Sequence, residues 1–537
     1  MNMDPTISNI IKLINTDNFY KAELELRKIY NNNPQSFDLN KLLGLSLLAQ
    51  RKYNSALKCF ERCYEKKKDD YDVVLNLSFI FCKIQFFEQS IDYSQKAIEL
   101  IKDRPQAYQN LATSYFMIQE YEKSEIACLK SIDLRGGKKS NNFLDAEDLV
   151  VLYADILLAT NRKDEMVSFI CDTLKEKYIQ KLLIRLLREN KSKITERHIE
   201  QANLAIHESS SFEKKVDRNT RESDASFFLA EYYSSSDSER SEEYYIKANK
   251  LISEMQRESL YKRQKFTKSI YEYFKLENTS AIEKNIDPKK GEGLIFILGM
   301  PRSGTSLIES ILSTANNLKA GGEKAFFSIQ LYETITNLMD DQSNSHNLNI
   351  DFFKNLGDRY LDHIKIQKGQ NYYFVDKLPE NYLFLKFINL CLPGAKFIHC
   401  TRDPWDNAIS LFKQNYSINI FYASSFFGIA TEIANYEFLM SFWNKHDVLK
   451  DKILNVKYED LVKDQTKSTN DIWGYFEFEG KYNPNTRKDH FAYTASMQQV
   501  SKEIYETSIE KRDFSVFRDS FFEDLENQRK YWKNKLQ

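Results

Sequence analysis

Glycine and proline are spread unevenly along this 537-residue chain, and that unevenness restricts its fold more than any other feature. Residues 1–287 hold only Gly44, Gly136 and Gly137, with Pro5, Pro34 and Pro105. The other twelve glycines and six prolines lie from Pro288 onward. Sheets need turns, and turns draw on both residues, whereas in a helix interior each costs about 1 to 3 kcal/mol. The first part is therefore expected to be helical throughout and the second to contain a sheet. The composition changes at Asp287-Pro288-Lys289-Lys290-Gly291, which predicts domains at 1–287 and 288–537.

Within the helical part, Phe19, Tyr53, Phe87 and Tyr121 recur every 34 residues. A small residue follows each three positions later: Ala22, Ala56, Ser90 and Ser124. Leu43, Leu77 and Leu111 keep the same period. A small side chain lets two helices approach, and an aromatic beside it fills the gap, so the aromatics are expected in the core. The pattern resembles the tetratricopeptide repeat over roughly residues 5–175, which implies an all-α solenoid of helical hairpins. Arg135 to Ser140 reads as an insertion before another hairpin, Asp145 to Leu174. Residues 176–287 keep a helical composition without a fixed repeat. Phe227–Tyr233 and Glu242–Met255 read as a helix pair joined by Ser234 to Ser238. Such arrays offer a concave groove for a protein partner or a polymeric acceptor, and serve equally as scaffolds or homodimer surfaces.

Charge and hydropathy exclude some classes of function. The net charge of −1 supplies no basic field for nucleic acid. No apolar run approaches about 20 residues, so no membrane span is expected. Met1 to Lys21 is polar and lacks a signal-peptide core. The seven cysteines show neither disulfide nor metal spacing. Cys59 and Cys63 fall four apart with no second ligand pair, which reads as core packing rather than zinc. A cytoplasmic setting and no metal are the expectations.

The chemistry concentrates at Phe296-Ile297-Leu298-Gly299-Met300-Pro301-Arg302-Ser303-Gly304-Thr305-Ser306-Leu307. An apolar strand-like run, Leu294 to Leu298, enters a glycine turn, and an amphipathic helix leaves it. Free N–H groups of a first helical turn, together with the helix dipole, cradle an anion. The loop lacks the lysine of the nucleotide-triphosphate P-loop, and Arg302 precedes the glycine instead. A phosphate other than that of ATP is implied. Further strands are expected at Tyr372–Val375, Lys396–Cys400 and Ile453–Val456, alternating with helices as in a parallel α/β sheet. Ligands of such sheets bind beyond the carboxyl ends of the strands. There the chain places the Arg302 loop, Asp376-Lys377, Thr401-Arg402-Asp403 and Tyr458-Glu459-Asp460.

Pro301 to Leu307 resembles the 5′-phosphosulfate loop of sulfotransferases. Phe397-Ile398-His399-Cys400-Thr401-Arg402-Asp403-Pro404, followed by Ser410, resembles their 3′-phosphate site. These enzymes use 3′-phosphoadenosine 5′-phosphosulfate (PAPS) and release the bisphosphate PAP. The resemblance spans about residues 293–515 and is nearest to the protein-tyrosine sulfotransferase branch. It implies that Arg302, Ser303, Gly304, Thr305 and Ser306 hold the 5′ end of the donor, and Arg402 with Ser410 the 3′ end. A planar guanidinium beside a hydroxyl suits a phosphate there. It implies Glu323 as general base, a role needing a carboxyl raised by burial; a cap on the helix from Lys324 is the plain alternative. Lys377 corresponds to a lysine that stabilises the transferring group, with an exposed strand-end lysine as its alternative. Thr494 to Val500 resembles the family's Ser-x-x-Gln-Val segment and places Ser496 at the sulfuryl group. Tyr458, Tyr505 and Lys511 match nucleotide-binding positions. Gln414 departs from the tyrosine branch, which has a second arginine there. His399, inside a strand-like run, reads as core rather than base.

The expected architecture is thus α followed by α/β: a repeat solenoid, then a P-loop-like sulfotransferase domain with a parallel sheet. The expected reaction moves a sulfuryl group from PAPS to a hydroxyl, on a peptide (including tyrosine) or glycan sooner than on a small molecule. The rival readings are a kinase-like P-loop transferase and a non-catalytic scaffold with a nucleotide-binding domain.

Overall fold

The computed structural model describes residues 5–30, 33–207, 215–255, 257–276, 279–340, 348–416, 420–445, 447–480, 482 and 514–536. Contacts divide the chain into two compact units, Met1–Leu182 and Leu183–Gln537.

The first unit is built of α1 (Pro5–Asn15), α2 (Phe19–Tyr30), α3 (Phe37–Ala49), α4 (Tyr53–Lys66), α5 (Tyr71–Lys83), α6 (Phe87–Leu100), α7 (Pro105–Met117), α8 (Tyr121–Leu134), the single turn α9 (Asn141–Leu144), α10 (Glu147–Ala159) and α11 (Lys163–Glu176). Each hairpin closes on a left-handed residue: Asp17, Arg51, Gln85 and Gln119, 34 residues apart, and then Asn161. The next amide reaches back five residues, as in Lys52 to Leu47 (2.9 Å) and Phe86 to Phe81 (2.8 Å). These are Schellman closures made without glycine. That is how a glycine-poor chain turns so often. Ala22, Ala56, Ser90 and Ser124 are all fully buried. The Ser90 and Ser124 hydroxyls donate across to the Ser78 and Ala112 carbonyls, both at 2.8 Å, so the small polar residues are satisfied. The aromatic positions are less uniform than expected. Phe87 is buried, but Phe19, Tyr53 and Tyr121, which begin their helices at the same place in the repeat, are half-buried. Cys59 and Cys63 pack in the core, and burial pushes their thiols up to about 11 and about 12.

The helix α12 (Gln180–Glu189) straddles the division. The second unit continues with α13 (Glu196–His207), α14 (Lys215–Tyr233), α15 (Ser238–Met255), α16 (Arg257–Leu276) and α17 (Ser280–Asn285). The expected pair around Ser234–Ser238 is α14 and α15. These helices are not a continuation of the first unit, as the composition boundary at 287 had placed them. Among them α15 and α16 pack on the sheet layer: Asn249 Nδ2 donates to the Phe412 carbonyl at 2.8 Å, and the Phe274 ring meets Phe387 and Trp443. Glycine and proline content reports secondary structure and is silent about which core a helix joins.

The sheet follows as β1 (Leu294–Gly299), α18 (Thr305–Leu312), β2 (Leu318–Ala320), α19 (Phe326–Asp340), α20 (Ile350–Lys368), β3 (Tyr373–Lys377), α21 (Leu385–Cys391), β4 (Lys396–Thr401), α22 (Pro404–Phe412), α23 (Phe426–Trp443), α24 (Asp447–Lys450), β5 (Ile453–Lys457), α25 (Tyr458–Lys463) and α26 (Gln465–Phe476). The last helix described is α27 (Arg518–Leu536). The strands are all parallel in the order β2-β3-β1-β4-β5. The short edge strand β2 has no counterpart in the sequence expectation. One face of the sheet is covered by α18 and α26, through Ile308, Ile311, Leu312, Trp473 and Phe476. On the other face Phe296 meets Phe327 and Tyr360, and His399 meets Tyr436 of α23. The order reverses at β1, so a crevice opens beyond the carboxyl ends of β1 and β4. Among the described residues no helix is long and apolar enough to cross a membrane.

Candidate active site

The loop after β1 is held by contacts that admit little variation. Arg302 and Gly304 both have positive φ, 71° and 97°. A Cβ on Gly299 would lie 2.3 Å from the Cys400 carbonyl oxygen, and one on Gly304 would lie 2.7 Å from Tyr458 Cδ2. The loop therefore rests on β4 at one end and on the Tyr458 ring at the other. Asn407 Nδ2 donates to the Pro301 carbonyl (2.9 Å) and fixes its middle.

Arg302, Arg402 and Ser410 converge. Arg302 Nε donates to Ser410 Oγ at 3.1 Å, and Arg402 Nη1 donates to the Arg302 carbonyl at 3.0 Å. The Arg402 guanidinium also lies 4.5 Å over the Tyr458 ring. The two anion-binding ends read separately from the sequence are thus joined through Arg302. Its guanidinium is lowered by burial, and the Arg402 and Arg188 charges act in the same direction. An anion placed there would relieve both strains. Asp403, adjacent to Arg402, caps α22 by accepting from the Trp405 and Asp406 amides, at 2.9 and 3.0 Å.

Ser303 departs from its expected role. Its hydroxyl lies beneath Gly299, buried, and lines a cavity of about 490 Å³ together with Met300, Arg402, Asn407 and Tyr436. Its amide donates to the Met300 carbonyl at 3.2 Å. The side chain therefore supports the loop from below, because the tight turn folds it inward. Thr305 and Ser306 open α18 and are buried.

A second group of charges lies at the end of β3. Lys377, the last strand residue, is fully buried and not the exposed lysine of the plain reading. Its Nζ lies 2.5 Å from Glu323 Oε1 and 4.0 Å from Glu309 Oε2. The turn bearing Glu323 is pinned three times. Gly321 N–H donates to Val375 O (2.8 Å), Lys377 N–H to Gly322 O (3.0 Å), and Gly322 N–H to Glu309 Oε1 (2.9 Å). Glu323 keeps 45 % of its side-chain surface, so the buried base expected from the sequence is instead a half-exposed carboxylate paired with lysine. Asp376 points to the opposite face of β3, where Tyr360 Oη donates to it at 2.8 Å, and burial pushes its carboxyl up to about 7. Glu309 is the residue that sequence reasoning missed. The signal was the one charged position in the mostly apolar run Leu307-Ile308-Glu309-Ser310-Ile311-Leu312.

His399 is buried and lowered by that burial; it bonds Asn455 Oδ1 (2.7 Å) and the Tyr436 hydroxyl. Its place is structural. Ser496, Tyr505 and Lys511 lie outside the described residues. Among the described residues no cluster of three or more His, Cys, Asp or Glu is placed to hold a metal ion.

Residues 295–482 match the model of the Sulfotransferase family. The C-terminal part of the chain carries a sulfotransferase domain. An uncharacterized protein of Aquifex aeolicus (strain VF5) is 27 % identical over 287 residues, which is 51 % of this chain and 37 % of that protein. The chain thus spans little more than a third of that relative. Among solved structures, the sulfotransferase domain of the Synechococcus PCC 7002 olefin synthase is similar at 16 % identity, covering 45 % of this chain and 96 % of that one, with a TM-score of 0.30. A thermophilic tetratricopeptide protein of Thermus thermophilus is 15 % identical and covers 34 % of this chain and 96 % of its own, with a TM-score of 0.28. A tetratricopeptide repeat protein from Parabacteroides merdae ATCC 43184 is 14 % identical and covers 46 % and 91 %, with a TM-score of 0.35. At these scores the architecture rests on the hairpins and sheet order described above.

Proposed function

We propose that the second unit transfers the sulfuryl group of PAPS to a hydroxyl of a peptide or glycan acceptor, tyrosine included. The observation that carries this is the Arg302–Ser410–Arg402 cluster at the crevice, next to the Lys377–Glu323 pair. The residues fit the donor chemically. Two guanidinium groups and a hydroxyl suit a phosphate, and a helix N-terminus after a glycine turn suits a phosphosulfate. Bound PAPS supplies the activated sulfuryl group. Arg402 and Ser410 hold its 3′ side, with Tyr458 beside the base. Arg302 and the Gly304–Ser306 backbone hold its 5′ side. Glu323 accepts the proton of the acceptor hydroxyl, as its half-exposed carboxylate can reach an entering substrate. Lys377 then turns its charge toward the leaving phosphate oxygen. A sulfuryl group carries less charge than a phosphoryl group, so arginine and lysine suffice in this scheme. The repeat array offers a groove for a polymeric acceptor or a protein partner.

The test is calorimetric titration with PAP, beside magnesium-ATP, on wild type and Arg402→Ala. Tight PAP binding, weakened by roughly tenfold or more in the variant, is the expected result. Magnesium-ATP binding with no response to PAP would favour a kinase-like transferase. PAP binding without turnover on any acceptor would favour a nucleotide-sensing scaffold. Glu323→Gln should bind PAP normally and lose roughly 10²-fold or more in turnover.

A further inference from the structure

We infer that Glu309 is a positioning residue of the transfer centre, holding both the turn that bears Glu323 and the charge of Lys377 during turnover. This rests on the sulfuryl-transfer reading.

Helix α18 is otherwise the apolar anchor of the phosphate loop: Ile308, Ile311 and Leu312 pack into the sheet core. Glu309 lies among them with 4 % exposure. A carboxylate there costs several kcal/mol unless it is partnered. Its partners are the two features that catalysis requires in place. Oε1 accepts the Gly322 amide at 2.9 Å, one residue before Glu323. Oε2 lies 4.0 Å from Lys377 Nζ, which also meets Glu323 Oε1 at 2.5 Å. The charged groups facing Glu309 are Lys377 and Asp376 from β3, and Glu323 and Lys324 from the turn after β2. Burial raises its carboxyl, and Lys377 acts against that rise.

The consequence follows from charge balance. While Glu323 is ionised, Lys377 has two carboxylates beside it. Once Glu323 takes the acceptor proton, its negative charge is gone. Glu309 is then the carboxylate left beside the buried Lys377 side chain, at the moment negative charge builds on the leaving phosphate. Glu309 touches no reacting atom; it acts through Lys377 and Gly322.

Glu309→Gln is the decisive variant, because the amide oxygen can still accept the Gly322 N–H while the charge is removed. Sulfuryl transfer from PAPS to p-nitrophenol, read as PAP formed, is compared for wild type, E309Q, E309A and E323Q across pH. In E309Q, kcat should fall by roughly tenfold, with KM for PAPS within about twofold of wild type. Both limbs of its pH profile should move to lower pH, since losing one negative charge favours deprotonation of its neighbours. A merely structural residue would lower the amount of folded enzyme and leave both limbs in place. E309A should lose more than E309Q, because the Gly322 amide then has no acceptor. Wild-type kcat and limbs in E309Q, alongside an inactive E323Q, would overturn this inference and leave the transfer reading standing. No PAP formation by wild type with p-nitrophenol or any peptide or glycan hydroxyl would overturn both.

Discussion

Replacing Gly304 by alanine tests how the phosphate loop is built. The residue has φ +97°, and a Cβ there would lie 2.7 Å from Tyr458 Cδ2. The conformation alone costs a non-glycine residue about 1–2 kcal/mol. The contact adds a second effect: the ring must move, and it carries Arg402 at 4.5 Å. That stack is worth about 0.5–1 kcal/mol, and moving it unseats the arginine that holds the loop through the Arg302 carbonyl. Gly322 is the matched comparison. It has φ +71° and nothing within 4 Å of its added Cβ, so Gly322→Ala reports conformational strain alone. The expectation is a loss of about 1–2 kcal/mol for Gly322→Ala and about 2–3 kcal/mol for Gly304→Ala by urea unfolding of the second unit. In calorimetry, PAP affinity should fall by roughly tenfold in Gly304→Ala and by less than about twofold in Gly322→Ala. Equal destabilisation by the two variants, or undiminished PAP binding by Gly304→Ala, would refute the argument that Tyr458 props the loop.

Two further outcomes are expected. Asp376 is raised to about 7 in the folded chain against an ordinary 3.8, so its contribution is full below the unfolded value and is lost as pH rises through about 7. That difference corresponds to on the order of 4 kcal/mol, and a pH series of urea unfolding should show second-unit stability falling over this window in wild type but not in Asp376→Asn. Arg263 of α16 donates to Glu432 and to Glu380, both at 2.7 Å, and Glu432 is buried. Arg263→Met should cost about 3–5 kcal/mol by leaving a buried carboxylate uncompensated, and adding Glu432→Gln should recover much of it; an additive double variant would count against the pairing.

Helices whose packing partners are near in the chain were legible. The 34-residue period predicts α1 to α8, because each small residue meets a partner within about one repeat. The Ser234–Ser238 break predicts the α14–α15 pair for the same reason. The four main strands were also legible: β1, β3 and β4 are largely buried on both faces and write themselves as apolar runs such as Leu294-Ile295-Phe296-Ile297-Leu298, and the edge strand β5 still carries Ile453, Leu454 and Val456. The edge strand Leu318–Ala320 is too short to leave such a mark. The anion loop, Arg402 and Ser410 could be named because loop chemistry is local and strand ends in a parallel sheet share one edge.

What the chain alone determines, then, is where it is helical, where it is a sheet, and which polar groups end up at the sheet's carboxyl edge. Tertiary structure decided the rest. It placed the helices from Leu183 onward in the same compact unit as the sheet, turned Ser303 beneath its own loop, joined Arg302 to Ser410, and set Glu309 against Lys377 and Gly322. The reason is physical. Periodicity and turn chemistry act over a few residues, whereas the worth of a buried charge depends on partners that only folding brings within a few ångströms.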